Sequence, residues 1–215
     1  MTEKIKNILK FFKTANKLKI TRRYKNTLKQ GGDSTAEHSW SLALLVLLVG
    51  EHYKKGINID HALKLALVHD LPESMTDDVD AYDQITGKFP KALKFLKEHA
   101  AMKDIADDGA FGQKVYKLWK EYAENKTKEA KLVKALDKIE AFIHLSEGNI
   151  DHYKQKEFFA DYADEIIQSF DETVKIYPVL SELLKILKNI LRAQLDELGV
   201  EWKGINANLV ANKQK

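Results

Sequence analysis

The sequence predicts an all-α protein, a single compact helical bundle, on three observations. Apolar residues recur at three- and four-residue spacing along most of the chain, which is the period of a helix face. Only 3 prolines and 10 glycines interrupt 215 residues, so long helices can run unbroken. No segment reads convincingly as a strand. The length suits one domain with a substantial core, expected over residues 1–202 as six to eight helices. Residues 203–215 are polar and rich in Asn and Lys, as expected of a frayed tail.

The composition narrows the function classes. A hydrophobic content of 44% with 31% charged residues is that of a soluble globular protein. A net charge of +3 is too weak to imply nucleic-acid binding. The absence of cysteine excludes disulfides, thiolate catalysis and Cys-type zinc sites. The longest apolar run, Leu42 to Gly50, is too short to span a bilayer, and lysines at 10 and 13 interrupt any signal-peptide core. A cytoplasmic protein without nucleic-acid or membrane partners is expected.

Residues 2–19 place Ile5, Ile8, Leu9, Phe12, Ala15 and Leu18 on one face with lysines opposite, an opening helix expected to pack its stripe into the core. Arg22, Arg23 and Tyr24 follow. Such a basic cluster is ordinarily solvated, but beside an active site guanidinium groups would clamp phosphate. After a Gln30–Asp33 loop, Ser34 to Glu37 has the form of a capping box. His38 therefore falls in a first helical turn, where the positive helix end favours a neutral imidazole able to bind metal. This helix should run past Trp40, Leu44, Leu45 and Leu48 to Tyr53 and stop at Gly56.

Residues 60–71 are apolar on nearly all sides, as in a buried helix, and end in His69 and Asp70. Pro72 disfavours helical geometry at Leu71, so the helix should end there. Asp70 then lies at the negative helix end and needs a cationic partner, either a metal shared with His69 or a basic side chain. Glu73, Asp77, Asp78, Asp80 and Asp83 form an acidic loop running to Gly87, without the spacing of an EF-hand. Helices are expected over 90–103 and 111–124, a hairpin or flap over one face, and over 127–145, where Asp137 borders the stripe Leu132, Val133, Leu136, Ile139, Phe142 and Ile143. Two more are expected over 161–177 and 178–198, the last with Pro178 near its first turn and Gly199 past its end.

Taken singly, His38, His69, Asp70 and Asp137 each have an ordinary structural explanation. In combination, EHSW at a helix start, LALVHDLPE at a helix end and LVKALDKIEAF within a later helix resemble the HD-domain metal-dependent phosphohydrolases, and among them the 5'-deoxynucleotidase branch, over about residues 16 to 145. The resemblance implies hydrolysis of (deoxy)ribonucleoside 5'-monophosphates at one divalent metal held by His38, His69, Asp70 and Asp137. It further implies that Glu73 positions or deprotonates the attacking water. Arg23, with Arg22 as competitor, would bind phosphate, Asp78 would contact the sugar hydroxyl, and Tyr24 would lie beside sugar and base where the branch usually has tryptophan. Asp77 replaces the usual glycine before the sugar-binding aspartate.

Two imidazoles and two carboxylates would neutralise a divalent ion, and mixed N/O ligation suits Mn, Co, Ni or Fe better than Mg alone. The resemblance also implies a homodimer, for which the apolar faces of the last two helices could serve as interface or as core. Two alternatives remain open: an HD hydrolase of another nucleotide or phosphate ester, and a non-catalytic helical module that keeps the metal site.

Overall fold

The computed structural model describes residues 2–52, 56–80, 83–84, 87–106, 110–147, 154 and 180–197. The opening helix α1, Thr2–Ala15, passes into a 3-10 turn over Asn16–Lys19. Helices α2 (Thr35–His52), α3 (Ile59–Val68), α4 (Glu73–Thr76), α5 (Lys91–Ala106), α6 (Ala110–Glu124), α7 (Lys128–Glu147) and α8 (Leu180–Glu197) follow. Among the described residues there is no strand, only one isolated bridge between Arg22 and Ser34. No helix among them is long and apolar enough to cross a membrane. The helix expected over 161–177 and the tail at 203–215 lie outside the described residues.

The core explains which faces are apolar. Leu42 and Val46 of α2, Leu65 and Ala66 of α3, Leu132, Leu136 and Ile139 of α7, and Leu184 of α8 form one buried cluster. Each fully buried leucine or isoleucine is worth about 1.5–3 kcal/mol over an exposed one. A second cluster joins Leu18, Val68 and Leu71 to Met102 and Ile105 of α5 and Trp119 of α6, so the expected α5–α6 hairpin is packed on the body of the protein. Gly50 brings α2 against α3: a Cβ there would lie 2.5 Å from Ile59 Cδ1. In α8, Leu180, Leu184 and Leu187 are buried, so that face belongs to the intramolecular core.

Two expectations are corrected. None of the residues of α1 is buried, and Ile5, Ile8, Leu9 and Phe12 are more than half exposed, so the stripe enters the core only at its end, through Leu18 just past the helix. Within α1 only Phe11 and Ala15 reach the second cluster. Helix α3 ends at Val68 rather than Leu71. Beyond it the bonds tighten to three-residue spacing, with Leu71 N donating to Val68 O (3.2 Å) and Glu73 N to Asp70 O (3.0 Å). Pro72, at φ −60° and ψ −25°, precedes α4 as its cap instead of stopping α3. His69 and Asp70 therefore stand in a tight turn between two helices.

Candidate metal centre

The capping box forms as read: Ser34 N donates to Glu37 Oε2 (2.7 Å) and Glu37 N to Ser34 Oγ (3.2 Å). It starts α2 one turn before the buried His38. His38 Nδ1 contacts Glu140 Oε2, and His69 Nδ1 lies 2.7 Å from the Ala66 carbonyl. With both Nδ1 atoms committed, both Nε2 atoms face inward, 3.2 Å apart. Unprotonated, as metal ligation requires, two nitrogens at that separation would repel unless a cation lay between them.

The carboxylates complete the group. Asp70 Oδ2 lies 3.0 Å from His69 Nε2 and 3.7 Å from His38 Nε2. Asp137 Oδ1 lies 3.0 Å from His38 Nε2 and 4.0 Å from His69 Nε2. Ligands about 2.1 Å from a shared ion stand about 3.0 Å apart when cis and about 4.2 Å apart when trans in an octahedron, so these separations fit one divalent ion. His38, His69 and Asp137 each offer one ligand atom within 4.8 Å of the others, and Asp70 adjoins both imidazoles.

The charges show the same demand for a cation. Burial and Arg23 pull His38 down, yet hydrogen bonds with Asp137 and Glu140 push it up to about 10. Burial pushes Asp70 and Asp137 up, and the facing imidazoles more than reverse this, leaving both below the usual carboxylate range. The Tyr122 hydroxyl donates to Asp137 Oδ2 at 2.7 Å. Burial and the Asp137 charge push its phenol well up, so it remains a donor. A second group, Asp33, His38 and Glu140, is already paired with Arg23, which lies 3.2 Å from Asp33 and 3.5 Å from Glu140.

The centre opens into a cavity of about 610 Å³ lined by Arg23, Tyr24, Asp70, Glu73, Asp78 and Asp137, among others. Glu73 is buried at the start of α4, where Thr35 Oγ1 donates to Oε2 (3.1 Å) and Lys94 Nζ to Oε1 (3.2 Å). Burial, then Asp70, pushes its carboxyl well above the usual range against the pull of Lys94. Of the two arginines, Arg23 is buried on the cavity, whereas Arg22 is exposed and pairs with Glu37 at 3.7 Å. Tyr24 has a left-handed backbone (φ +57°), stacks on His144 at 5.5 Å and carries the Arg23 guanidinium 4.8 Å from its ring centre.

In the acidic loop, Asp78 lines the cavity and burial pushes it up to about 6, with Lys94 and Arg23 opposing. Asp80 instead ties loops together, accepting from Asn26 N (2.8 Å), Thr27 N (3.2 Å) and Thr27 Oγ1 (2.8 Å). Asp77 has φ +64° and ψ 162° and pairs with Lys25. Sequence reasoning missed Glu140, Asp33, Tyr122 and Lys94. Glu140 alone had a local signal, standing one helical turn after Asp137 on the same face.

A family model described as HD domain matches residues 15–175. The chain belongs to the HD-domain family. Among curated relatives, this HD-domain chain is similar to the 5'-deoxynucleotidase HDDC2 of Dictyostelium discoideum, 35% identical over 151 residues that cover 66% of this chain and 77% of that protein. Among solved structures, a conserved hypothetical protein from Pyrococcus furiosus matches with a TM-score of 0.66 at 26% identity, covering 84% of this chain and 99% of that one. An HD-domain phosphohydrolase from Listeria innocua shares the fold with a TM-score of 0.60 at 22% identity, covering 89% of this chain and 96% of that one.

Proposed function

We propose that this HD-domain protein is a metal-dependent phosphomonoesterase that hydrolyses (deoxy)ribonucleoside 5'-monophosphates to nucleoside and phosphate, with His38, His69, Asp70 and Asp137 as metal ligands. The observation that carries the reading is the convergence of two inward Nε2 atoms and two carboxylates on the wall of a cavity that also holds Glu73. The name of the Dictyostelium relative supports the substrate class. When bound, a divalent ion of the Mn, Co, Ni or Fe type supplies acidity to water and polarises phosphoryl oxygens.

The remaining steps belong to the chain. Glu73, its two oxygens fixed by Lys94 and Thr35, takes a proton from the attacking water as a carboxylate. Arg23 faces the phosphate from the cavity wall, held in place by Asp33 and Glu140. Asp78 accepts the sugar hydroxyl, and Tyr24 borders sugar and base with its ring steadied by His144.

The same reading takes the protein as a cytoplasmic homodimer acting on small nucleotides, neither nucleic acid nor membrane being a partner. Exposed Trp40, Leu44, Leu47 and Leu48 on α2 support the dimer. Phosphate release over a panel of ribo- and deoxyribonucleoside 5'-monophosphates with Mn, Co, Ni and Mg tests the assignment. Turnover is expected with the transition metals, faster on deoxyribose. No turnover with any sugar and any metal would leave an HD hydrolase of another phosphate ester or the non-catalytic module as the answer, and a broad phosphatase screen separates those two.

A further inference from the structure

Five basic side chains line the cavity, and their charges are not equally engaged. Arg23 faces Asp33 and Glu140, and Lys94 faces Glu73 (3.2 Å) and Glu98 (3.4 Å). Among the described residues, Lys91, Lys134 and Lys138 have no carboxylate within ion-pair distance. Lys91 and Lys138 are exposed at the rim, whereas Lys134 is half-buried.

Lys134 also stands nearest the chemistry. It lies in α7 one turn before Asp137, about 4.5 Å along the axis. Its Nζ is 4.8 Å from the centre of the Tyr122 ring, and that residue's hydroxyl holds Asp137 Oδ2. Ala141 and Leu145, which line the cavity near Tyr24, lie on the other side of Asp137 along the same helix. A half-buried ammonium held by one aromatic face, worth about 0.5–2 kcal/mol, is poorly compensated for its lost hydration. Burial pulls it below the ordinary lysine range, with Asp137, Glu98 and Asp70 opposing from beyond ion-pair distance. A phosphate entering the cavity would supply a closer counter-charge.

We infer that Lys134 is a catalytic residue: its ammonium meets the non-bridging oxygens of the substrate phosphate on the side of the metal centre away from the nucleoside. There it opposes the charge that grows on the phosphoryl group in the transition state, a task for which Arg23, bound to two carboxylates, is less free. The inference rests on the phosphomonoesterase reading for its substrate. It needs only a phosphate anion for its binding part.

The experiment uses the Mn-loaded 215-residue chain with Lys134→Met, Lys134→Arg and Lys134→Cys. Because the chain has no other cysteine, alkylation of Lys134→Cys with bromoethylamine rebuilds an ammonium at that position alone. Lys134→Met should lower kcat/KM on deoxyribonucleoside 5'-monophosphates about 100- to 1,000-fold and weaken inhibition by inorganic phosphate at least about tenfold, with metal content and helical circular dichroism unchanged. Lys134→Arg and aminoethylated Lys134→Cys should recover most of both losses, which separates charge from packing even if the methionine variant folds poorly.

A kcat/KM and a phosphate affinity within about threefold of wild type in Lys134→Met would overturn the inference, as would failure of aminoethylation to restore either. Should the wild-type protein turn over no monophosphate, the enzymatic reading fails separately. Calorimetric binding of inorganic phosphate to wild type and Lys134→Met then decides the lysine, equal affinities refuting it.

Discussion

Glu140 offers the sharpest test of how the metal centre is held. Its carboxylate contacts His38 Nδ1, is buried, and lies 3.5 Å from Arg23. Glu140→Ala removes the acceptor that fixes which His38 nitrogen faces the site, and leaves Arg23 with Asp33 as its remaining carboxylate partner. If His38 binds metal as proposed, losing such an outer partner weakens metal affinity about 10- to 100-fold, or about 1.4–2.7 kcal/mol. A buried Nδ1–H left without an acceptor costs about 1–3 kcal/mol of folding stability in addition. Glu140→Gln keeps an oxygen for Nδ1–H and should fall at the low end of both ranges. Competition with a fluorescent chelator for Mn or Ni, together with thermal melts of the metal-free proteins, reads the two effects separately. A folded Glu140→Ala protein binding metal within about twofold of wild type would refute the argument that Glu140 orients His38.

Three further outcomes are expected. Asp70→Ala and Asp137→Ala should each abolish metal-dependent phosphate release while far-ultraviolet circular dichroism stays helical; full activity in either would remove that residue from the metal centre. Asp78 is raised from its ordinary 3.8 to about 6, so the folded state disfavours its charge. Its contribution to stability is therefore fully present below about pH 3.8 and is lost as pH rises to about 6, by at most about 3 kcal/mol. In chelator-treated protein, Asp78→Asn should be more stable than wild type at pH 7 and equal to it near pH 3.8, read by urea melts at both pH values. A Cβ at Gly32 would lie 2.5 Å from Tyr24 Cδ2 and 3.2 Å from His144 Nε2. Gly32→Ala should consequently displace the Tyr24 ring and lower kcat/KM on nucleotides about 10- to 100-fold, with metal content unchanged by elemental analysis.

The parts of the site legible in the sequence are those set by short-range rules. Ser34 and Glu37 bond each other across three residues, so the start of α2 and the place of His38 follow from four letters. The stripe of α7 likewise fixes the face on which Asp137 stands. Pro72 shows the limit of such rules: its φ near −60° suits the entry of the next helix as well as the exit of the last, and only the turn bonds at Val68 and Asp70 decide between them. The α1 stripe identified an apolar face without saying what covers it. The grip of Glu140 on His38 and Arg23 joins residues 102 and 117 positions apart, a separation at which no local pattern operates.

Asp77 carries one more consequence. At φ +64° and ψ 162° it occupies backbone territory that belongs almost exclusively to glycine, a burden of about 1–3 kcal/mol for any side chain. Its pairing with Lys25 is exposed and returns little of that. The protein thus holds an untapped reserve of stability one residue from the aspartate that lines the cavity, reachable by Asp77→Gly without touching a proposed metal ligand. Drawing on it would also slacken the backbone that aims Asp78 at the cavity, so robustness and the proposed contact with the sugar are set against each other at a single position.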